Sequence, residues 1–439
     1  MELKVGAAKI EITPPVGVGL SGFIARYERS NGVGDPLHAR AVALSANGAK
    51  AAVLQFDLLG LAPWHVDAVR EFAFERLGIP RDHVLLSATH THSGPGVVAV
   101  RGCDVASYAY QREVVEKASS ALLEASQRLS PATIETGSVP YMLGFNRREE
   151  TANGVVLGFA REKPRPERLE VARLRSANQE ALLFSHASHP YILGAESRLI
   201  SGDFASHACL DLEQDRNTVA LFLNGCAGNI RPETAFQGIE KTREEGKRMA
   251  RAVRAASSAL SAARPATALD GTWRRVHLPF APLPRSAAEV DELARQQERV
   301  VRPEERGNAE VQRRMKGAVD EWAGFLKRSI ALTWPIEPVV CEFQALRIGP
   351  LALAAVAGEP FFEIGESIRA ASPFPVTWAL GYTNAYCGYI PTRKEYPLGG
   401  YEVNDAFKYL GLWKIDENTE ERVTQAARSA LEELAGRVR

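Results

Sequence analysis

Val84-Leu85-Leu86-Ser87-Ala88-Thr89-His90-Thr91-His92-Ser93-Gly94-Pro95-Gly96 joins an apolar run to two histidines and a turn of small residues. Residues 84–87 predict a buried strand, and the Gly/Pro turn places both imidazoles near the tip of that strand. Imidazole is the commonest protein ligand for Zn²⁺, so this pair is a candidate metal site. Two loop histidines hydrogen-bonded to the backbone are the alternative, because a zinc site also requires a third and a fourth ligand.

The composition is that of an ordinary globular protein. Of 439 residues, 45% are hydrophobic and 24% are charged. Lys+Arg and Asp+Glu both number 53, so no net field favours nucleic acid or an anionic membrane. No apolar stretch approaches the about 18 residues of a membrane span, so no transmembrane segment is expected. The composition specifies no oligomeric state.

The cellular compartment is inferred from the first residues and the cysteines. The chain starts without a basic segment followed by an apolar one, so no signal peptide is visible. The five cysteines are scattered and show no CxxC spacing, which indicates neither a disulfide framework nor a cysteine metal site. We therefore expect a cytoplasmic protein, although an exported parent protein trimmed of its leader would look the same.

Apolar runs alternate with amphipathic helical patterns along the chain, which is typical of α/β proteins. The runs are continuous, so we expect a mixed, largely buried β-sheet core flanked by helices. The runs are residues 51–56, 84–87, 181–184, 218–223, 351–356 and 376–380, and the helical patterns are residues 64–77, 109–128, 239–262 and 417–439. The Arg- and Glu-rich residues 285–330 predict a helical excursion with a solvated face, within a single domain of residues 1–439.

Polar side chains follow five of these apolar runs. Ligand crevices of open α/β sheets lie outside the carboxyl ends of the strands, so we expect these side chains to converge on one cleft. Taken singly, each has a structural alternative: a packed histidine, a capping carboxylate or a tyrosine at the rim. The candidates are His90 and His92, His186 and His189, Arg231, Glu359, and Tyr382, Asn384, Tyr386 and Tyr389.

This pattern resembles the neutral/alkaline (non-lysosomal) ceramidases, specifically their N-terminal catalytic domain. The resemblance covers nearly the whole chain. It depends most on Thr89-His90-Thr91-His92-Ser93-Gly94-Pro95-Gly96 and on the Tyr-rich residues 384–402, with further matches at residues 9–15 and 35–40. It implies a ceramidase-like fold, zinc-dependent amidase activity and a place in sphingolipid metabolism. Carried over by motif, it implies a Zn²⁺ ion held by His90, His189, Glu359 and Tyr389.

The same resemblance implies three residues that line the catalytic cleft, namely His92, Arg147 and Tyr401. A second imidazole can move a proton to the leaving group, and an arginine or a tyrosine hydroxyl can stabilise an oxyanion. His189 is preferred to His186 as the ligand because it stands in a His-Pro pair, and the reverse assignment is the alternative. Asp57 is either a structural carboxylate or a partner that orients a ligand.

The turn after residues 218–223 departs from the family. Ceramidases carry Gly-Asp-Val-Ser-Pro there, with a catalytic serine, whereas this chain has Gly228-Asn229-Ile230-Arg231-Pro232. A guanidinium is permanently protonated, so a serine-dependent mechanism is excluded at this position. Arg231 instead favours a substrate with a carboxylate, phosphate or hydroxyl-rich head. The family's C-terminal β-sandwich also has no visible counterpart after residues 417–439, and we therefore expect a polar or amphiphilic small molecule rather than plain ceramide.

The sequence thus predicts a zinc-dependent hydrolase that cleaves an amide-type (N-acyl) bond of a polar substrate. The first alternative keeps the metal and cleaves an ester, lactone or glycosidic bond, with Arg231 reading a polar or anionic headgroup. The second alternative is an inactive relative that binds a lipid or a sugar. Retention of all four predicted ligands argues against it, because a binding module does not need an open metal position.

Overall fold

A computed structural model describes residues 2–214, 217–258, 260, 268–297, 308–411 and 413–437. The strands are β1 (Lys4–Glu11), β2 (Gly32–Val33), β3 (His38–Ala46), β4 (Ala49–Phe56), β5 (Val84–Ala88), β6 (Ser130–Pro140), β7 (Gly144–Thr151), β8 (Gly154–Ala160), β9 (Arg168–Ser176), β10 (Glu180–Ser185), β11 (Leu199–Ile200), β12 (Thr218–Phe222), β13 (Ile230–Pro232), β14 (Leu269–Leu278), β15 (Val339–Ile348), β16 (Leu351–Ala357), β17 (Glu359–Pro360), β18 (Val376–Thr383) and β19 (Tyr389–Ile390). The helices are α1 (Pro63–Leu77), α2 (Tyr108–Gln127), α3 (Asp203–Leu212), α4 (Gly238–Ser258), α5 (Ala287–Gln297), α6 (Ala309–Ala331), α7 (Phe362–Ala370), α8 (Tyr401–Asn404), α9 (Ala406–Leu410) and α10 (Thr419–Gly436).

Local signals explain where several of these helices begin and end. Proline occupies the first position of α1, where its missing N–H is tolerated, and Gly78 ends that helix at a φ of 64°. Before α2, the Ser107 side chain accepts a hydrogen bond from the backbone N–H of Tyr110. Asn308 caps α6 in the same way. The helix boundaries therefore follow ordinary capping chemistry.

One twelve-stranded sheet forms the frame of the molecule, in the order β12-β10-β9-β6-β1-β3-β4-β5-β18-β16-β15-β14. The pairs β4/β5, β10/β12 and β16/β18 are parallel. The other neighbouring strands of this sheet are antiparallel. The predicted α/β class with a mixed, largely buried sheet is confirmed.

The sheet folds back on itself, so that residues from its two halves share one core. Val53 of β4, Leu221 of β12 and Leu353 of β16 belong to a single hydrophobic cluster made of strand residues. The next residue along β4, Leu54, points to the other face and packs with α1 and α2. Helices α3 and α4 cover a second part of this outer face, and α7 and α10 cover a third. Both faces of the strands are therefore buried, which explains the continuous apolar runs.

The fold in the sheet lies between β5 and β18. These strands meet in antiparallel fashion at one pair, Ser87 and Thr383, so each reaches the junction with its carboxyl end. A bridge between Gly225 and Leu380 brings the segment after β12 to the same place. The polar residues after the strands thus converge at a fold in a mixed sheet. The predicted convergence of side chains at strand ends therefore occurs within the predicted mixed sheet.

The predicted helical excursion at residues 285–330 falls on α5 and α6, while residues 298–307 lie outside the described residues. Val290 of α5 and Trp322 of α6 are buried in one cluster with Trp413. The two helices therefore form a packed cover beside the sheet. The single-domain organisation stays a prediction.

Two further helix predictions correspond to α4 and α10. Of the predicted residues 239–262 and 417–439, residues 259, 261–262 and 438–439 lie outside the part that the structure describes. Within that part, no helix is long and apolar enough to cross a membrane.

Candidate metal centre and cleft

The four side chains predicted as metal ligands come from four strand ends. His90 follows β5, His189 follows β10, Glu359 opens β17 and Tyr389 opens β19. Strands β17 and β19 pair in parallel with Glu359 opposite Tyr389. His90 adopts a φ of 69°, a left-handed conformation that a non-glycine residue rarely takes. Backbone strain of this kind concentrates at functional sites.

Two glycines allow the close approaches that this centre requires. Gly358 has a φ of 81°, and a Cβ atom there would lie 2.5 Å from the carbonyl oxygen of Gly388. That carbonyl accepts the N–H of Glu359 at 2.8 Å, so the contact aligns the two short strands. At Gly22, whose φ is 100°, a Cβ atom would lie 2.5 Å from Cγ of His92. A larger residue at Gly22 would displace His92, and one at Gly358 would push against the backbone of Gly388 and so disturb the alignment of the two short strands.

The polar atoms of three predicted ligands, His90, His189 and Glu359, lie close together. Nε2 of His90 lies 3.2 Å from Oε2 of Glu359, and Nε2 of His189 lies 3.1 Å from the same oxygen. Nε2 of His92 lies 3.3 Å from Nε2 of His90. One ring nitrogen from each of the three histidines lies within 4.8 Å of the others. His92 therefore belongs to the same cluster of ring nitrogens as the two histidines predicted to be ligands, although only those two have their Nε2 atoms beside Glu359.

Backbone carbonyls fix how the two predicted imidazole ligands present their nitrogens. Nδ1 of His90 lies 2.7 Å from the oxygen of Leu59, and Nδ1 of His189 lies 2.7 Å from the oxygen of Ala227. An imidazole that donates Nδ1–H to a carbonyl presents a lone pair at Nε2. Two lone pairs thus face one carboxylate oxygen, and a cation placed between them would offset their mutual repulsion. Two imidazoles and a carboxylate are a donor set that fits Zn²⁺.

Burial sets the charge states at the centre. It lowers the pKa of His189 to about 4 and lowers the pKa of His92 well below its ordinary value. Burial favours the neutral acid at Glu359, but His90 and His189 hold the pKa of that carboxyl well below its usual range. Near neutral pH, His92 and His189 are neutral and Glu359 is ionised. These are the protonation states that metal coordination needs.

Arg147 contacts two of the predicted ligands, Tyr389 and His189. One terminal nitrogen donates to the hydroxyl of Tyr389 at 2.9 Å, and the other lies 3.3 Å from Nε2 of His189. Its Nε donates to Glu402 at 2.7 Å. Burial and the nearby Glu359 raise the pKa of Tyr389 well above its ordinary value, although Arg147 opposes this, so the phenol is neutral at physiological pH.

Three further contacts complete the centre. The hydroxyl of Tyr386 donates to Oε1 of Glu359. The ring of Tyr382 stacks on His90 with 4.1 Å between centroids. Glu402 is buried between two arginines. Both tyrosines were among the candidates that follow the strand at residues 376–380, without an assigned role, whereas Glu402 lies at the end of the Tyr-rich residues 384–402 and was not predicted as a site residue.

His186 and Asp57 lie apart from these contacts. Nδ1 of His186 lies 2.8 Å from the carbonyl oxygen of Arg168, and His189 rather than His186 belongs to the histidine cluster. Asp57 accepts hydrogen bonds from Arg40 at 2.8 Å and from Gln55 at 2.9 Å. These described contacts order the ends of β3 and β4. Of the two roles predicted for Asp57, they correspond to the structural carboxylate.

A cleft of about 1530 Å³ opens over the centre. It exceeds the roughly 300–1,000 Å³ of an ordinary small-molecule pocket. The predicted site residues that line it are His90, His92, Glu359, Tyr389, Tyr401 and Arg231. Arg147 and His189 are buried and are not among the lining residues. Tyr401 lies against Tyr389 with 5.9 Å between ring centroids.

Fold and site together define an α/β protein with a buried histidine–carboxylate cluster at a large cleft. Two solved structures share this fold. A ceramidase in complex with C2 matches with a TM-score of 0.73 and 19% identity, covering 100% of this chain and 76% of its own. The neutral ceramidase from Pseudomonas aeruginosa matches with a TM-score of 0.74 and 20% identity, covering 100% and 75%. The predicted ceramidase-like fold is confirmed. No family model and no curated protein matches the sequence.

Proposed function

We propose that this chain is a zinc-dependent hydrolase that cleaves an amide-type (N-acyl) bond of a polar small molecule. The observation that supports it most is the convergence of His90 and His189 on one oxygen of Glu359, inside a cleft large enough for a substrate. Zn²⁺ bound by such a donor set supplies Lewis acidity and activates water for attack on a carbonyl carbon. The ceramidase-like fold agrees with this chemistry.

In this proposal the ion is held by His90, His189, Glu359 and Tyr389. The carbonyls that accept from the two Nδ1 atoms keep both imidazoles in the orientation for binding. Tyr386 fixes the second oxygen of Glu359 through its hydroxyl. Arg147 donates to Tyr389 and so positions the phenol. Partners of this kind determine ligand orientation, and their loss weakens metal affinity by about 10- to 100-fold.

His92 and Tyr401 are the groups of this chain that meet the substrate. The neutral imidazole of His92 lines the cleft beside His90, so it can accept a proton and deliver it to the leaving amine. The ring of Phe23 packs against His92 with 4.8 Å between centroids and limits its rotation. The hydroxyl of Tyr401 is placed at the cleft wall, where it can donate to a developing oxyanion.

A second candidate function keeps the metal and changes the bond to an ester, a lactone or a glycosidic linkage. Arg231 in the cleft wall favours it, because a guanidinium can recognise a polar or anionic headgroup whatever bond is cleaved. The cytoplasmic location stays a prediction.

Metal analysis of the purified protein tests the proposal. We expect about one zinc ion per chain, and less than about 0.2 in His90→Ala. His277→Ala is the matched control, since His277 is exposed on β14, and it should keep the full metal content. Zinc below about 0.2 per chain in the parent protein, or a content unchanged by His90→Ala, contradicts the metal site. A screen of N-acyl, ester and glycoside substrates then separates the two candidate reactions, and the absence of turnover on all three supports an inactive binding relative.

A further inference from the structure

Arg231 lies in the cleft wall, outside the metal centre, and aromatic rings pack against its guanidinium. The guanidinium carbon of Arg231 lies 4.2 Å from the ring centroid of Phe159 and 5.6 Å from that of Phe236. One of its terminal nitrogens lies 3.5 Å from the carbonyl oxygen of Leu157. All four residues line the cleft. The rings stabilise the cation and restrict its position, so Arg231 forms a defined part of the wall.

An apolar surface joins Arg231 to the metal centre. Phe236 stacks on Tyr191 with 5.5 Å between centroids, and Tyr191 lies 5.3 Å from the ring of His92. Phe23 contacts all three of these rings at 4.8 to 5.9 Å. A ligand that extends from His92 to Arg231 therefore passes over aromatic carbon before it reaches a positive charge. We give the name Arg231 wall to Phe23, His92, Phe159, Tyr191, Arg231 and Phe236.

Exposed apolar side chains also line the same cleft. Tyr27, Val156, Phe236 and Leu398 are among its lining residues and are each 41% to 45% exposed. They come from separate segments of the chain that the fold brings to this cleft. Grouped exposed apolar side chains mark a surface that takes an apolar portion of a ligand. The cleft thus combines apolar contact area with a fixed cation.

We infer that the Arg231 wall selects N-acyl compounds in which an apolar segment separates the scissile amide from a carboxylate. A planar guanidinium can bind a planar carboxylate through two parallel hydrogen bonds, which a neutral head cannot match. Water is added across the C–N bond, and a carboxylic acid and an amine leave. The inference rests on the proposed hydrolase function and specifies its substrate class.

Paired substrates test this selection. An N-acyl-aminohexanoate and the corresponding N-acyl-aminohexanol share the amide and the apolar segment and differ in the terminal charge. We expect the zinc-loaded parent protein to prefer the carboxylate by about 30-fold in kcat/KM. Arg231→Gln should abolish that preference and leave the alcohol within about twofold, and Arg231→Lys should retain part of it, because an ammonium lacks the guanidinium fork.

Arg161→Gln is the matched control. Arg161 stacks on Phe145 at 4.3 Å and pairs with the exposed Glu233, and it is not among the residues that line the cleft. Its variant should keep the parent's preference. Circular dichroism and zinc content equal to the parent's establish that each variant is folded.

Calorimetric binding of both compounds separates this inference from the proposed reaction. Tighter binding of the carboxylate that depends on Arg231, without hydrolysis of either compound, supports the Arg231 wall and contradicts the proposed function. Hydrolysis of both compounds with equal efficiency overturns the inference and leaves the hydrolase intact. Equal binding of both compounds without hydrolysis, or no binding of either, overturns the inference and contradicts the proposed function as well. An equal loss on both compounds in Arg231→Gln also overturns it, because the residue then acts on something other than the charge.

Discussion

Replacing Glu402 with glutamine tests whether the candidate metal centre depends on the buried ion cluster beside it. The two carboxylate oxygens of Glu402 accept from Arg147 at 2.7 Å and from Arg148 at 2.5 Å. Arg148 also pairs with Glu395 at 2.8 Å, and Lys163 lies 3.7 Å from the same carboxylate, so two buried arginines and a partly exposed lysine balance two carboxylates. The side chains of the two arginines and the two glutamates are at most 5% exposed, and water screens their charges little.

Glutamine keeps the shape of Glu402 and removes one negative charge from that balance. Breaking a buried ion pair from one side costs about 3–5 kcal/mol, because the remaining charge is left uncompensated. The amide oxygen can still accept from one arginine, so we expect the free energy of unfolding to fall by about 3 kcal/mol. Arg147 contacts Tyr389 and His189, and we therefore also expect zinc affinity to fall by about 10- to 100-fold.

Urea unfolding at pH 7, followed by tryptophan fluorescence and circular dichroism, measures the loss as a shift of the midpoint. Glu116→Gln is the control, because its partner Arg112 lies at 3.0 Å in an exposed pair on α2. It should change stability by less than about 0.5 kcal/mol. A loss below about 1 kcal/mol in Glu402→Gln, or an unchanged zinc affinity, would refute the dependence of the centre on this cluster.

Three further predictions test the site and its surroundings. His189→Ala should lower bound zinc below about 0.2 per chain while His186→Ala keeps about one, and the opposite result would reverse the ligand assignment. Burial lowers the pKa of His186 to about 4 from 6.5, so this residue contributes stability that is present above pH 6.5 and lost as the pH falls to 4. Between pH 7 and pH 4, the free energy of unfolding of His186→Gln should therefore fall by about 3 kcal/mol less than that of the parent. Urea unfolding at both pH values measures this difference, and equal losses would contradict the prediction. Gly22→Ala should lower kcat with little change in zinc content, since its Cβ would meet Cγ of His92 at 2.5 Å, and unchanged kcat would remove His92 from the mechanism.

The α/β class could be predicted because the central strands are continuous apolar runs. Residues 218–223 and 351–356 were identified as strands, and the structure has strands β12 and β16 there. Strand β6 and strand β14 were not identified, since buried and exposed residues alternate along them with charged side chains. The antiparallel meeting of β5 with β18 was also not predictable. Ser87 and Thr383 are far apart in the sequence, and local patterns do not specify which distant strands pair.

The candidate site was predictable only in part, for a similar reason. His90, His189 and Glu359 each follow a strand, and the family motifs marked them, so their side chains could be expected near one another. The buried position of Arg147 and the closeness of His92 to His90 depend on how β7 and the turn after β5 pack, which no residue pattern records. Distances of about 3 Å between side-chain polar atoms are set by tertiary contacts, and the spacing of residues along the sequence does not determine those contacts.

The position of Arg231 indicates how this chain divides recognition from chemistry. Arg231 on β13 stands opposite Phe145 on β7, two residues before Arg147, so one small sheet carries both arginines. The N–H groups of Arg147 contact Tyr389, His189 and Glu402, whereas Arg231 lies against Phe159 and Phe236 in the cleft wall. A guanidinium cannot attack a carbonyl, but it can bind an anionic head, and in the proposed reaction the histidine cluster acts on the amide. Changes at Arg231 should therefore alter which substrates are accepted, and changes at Arg147 should alter metal affinity.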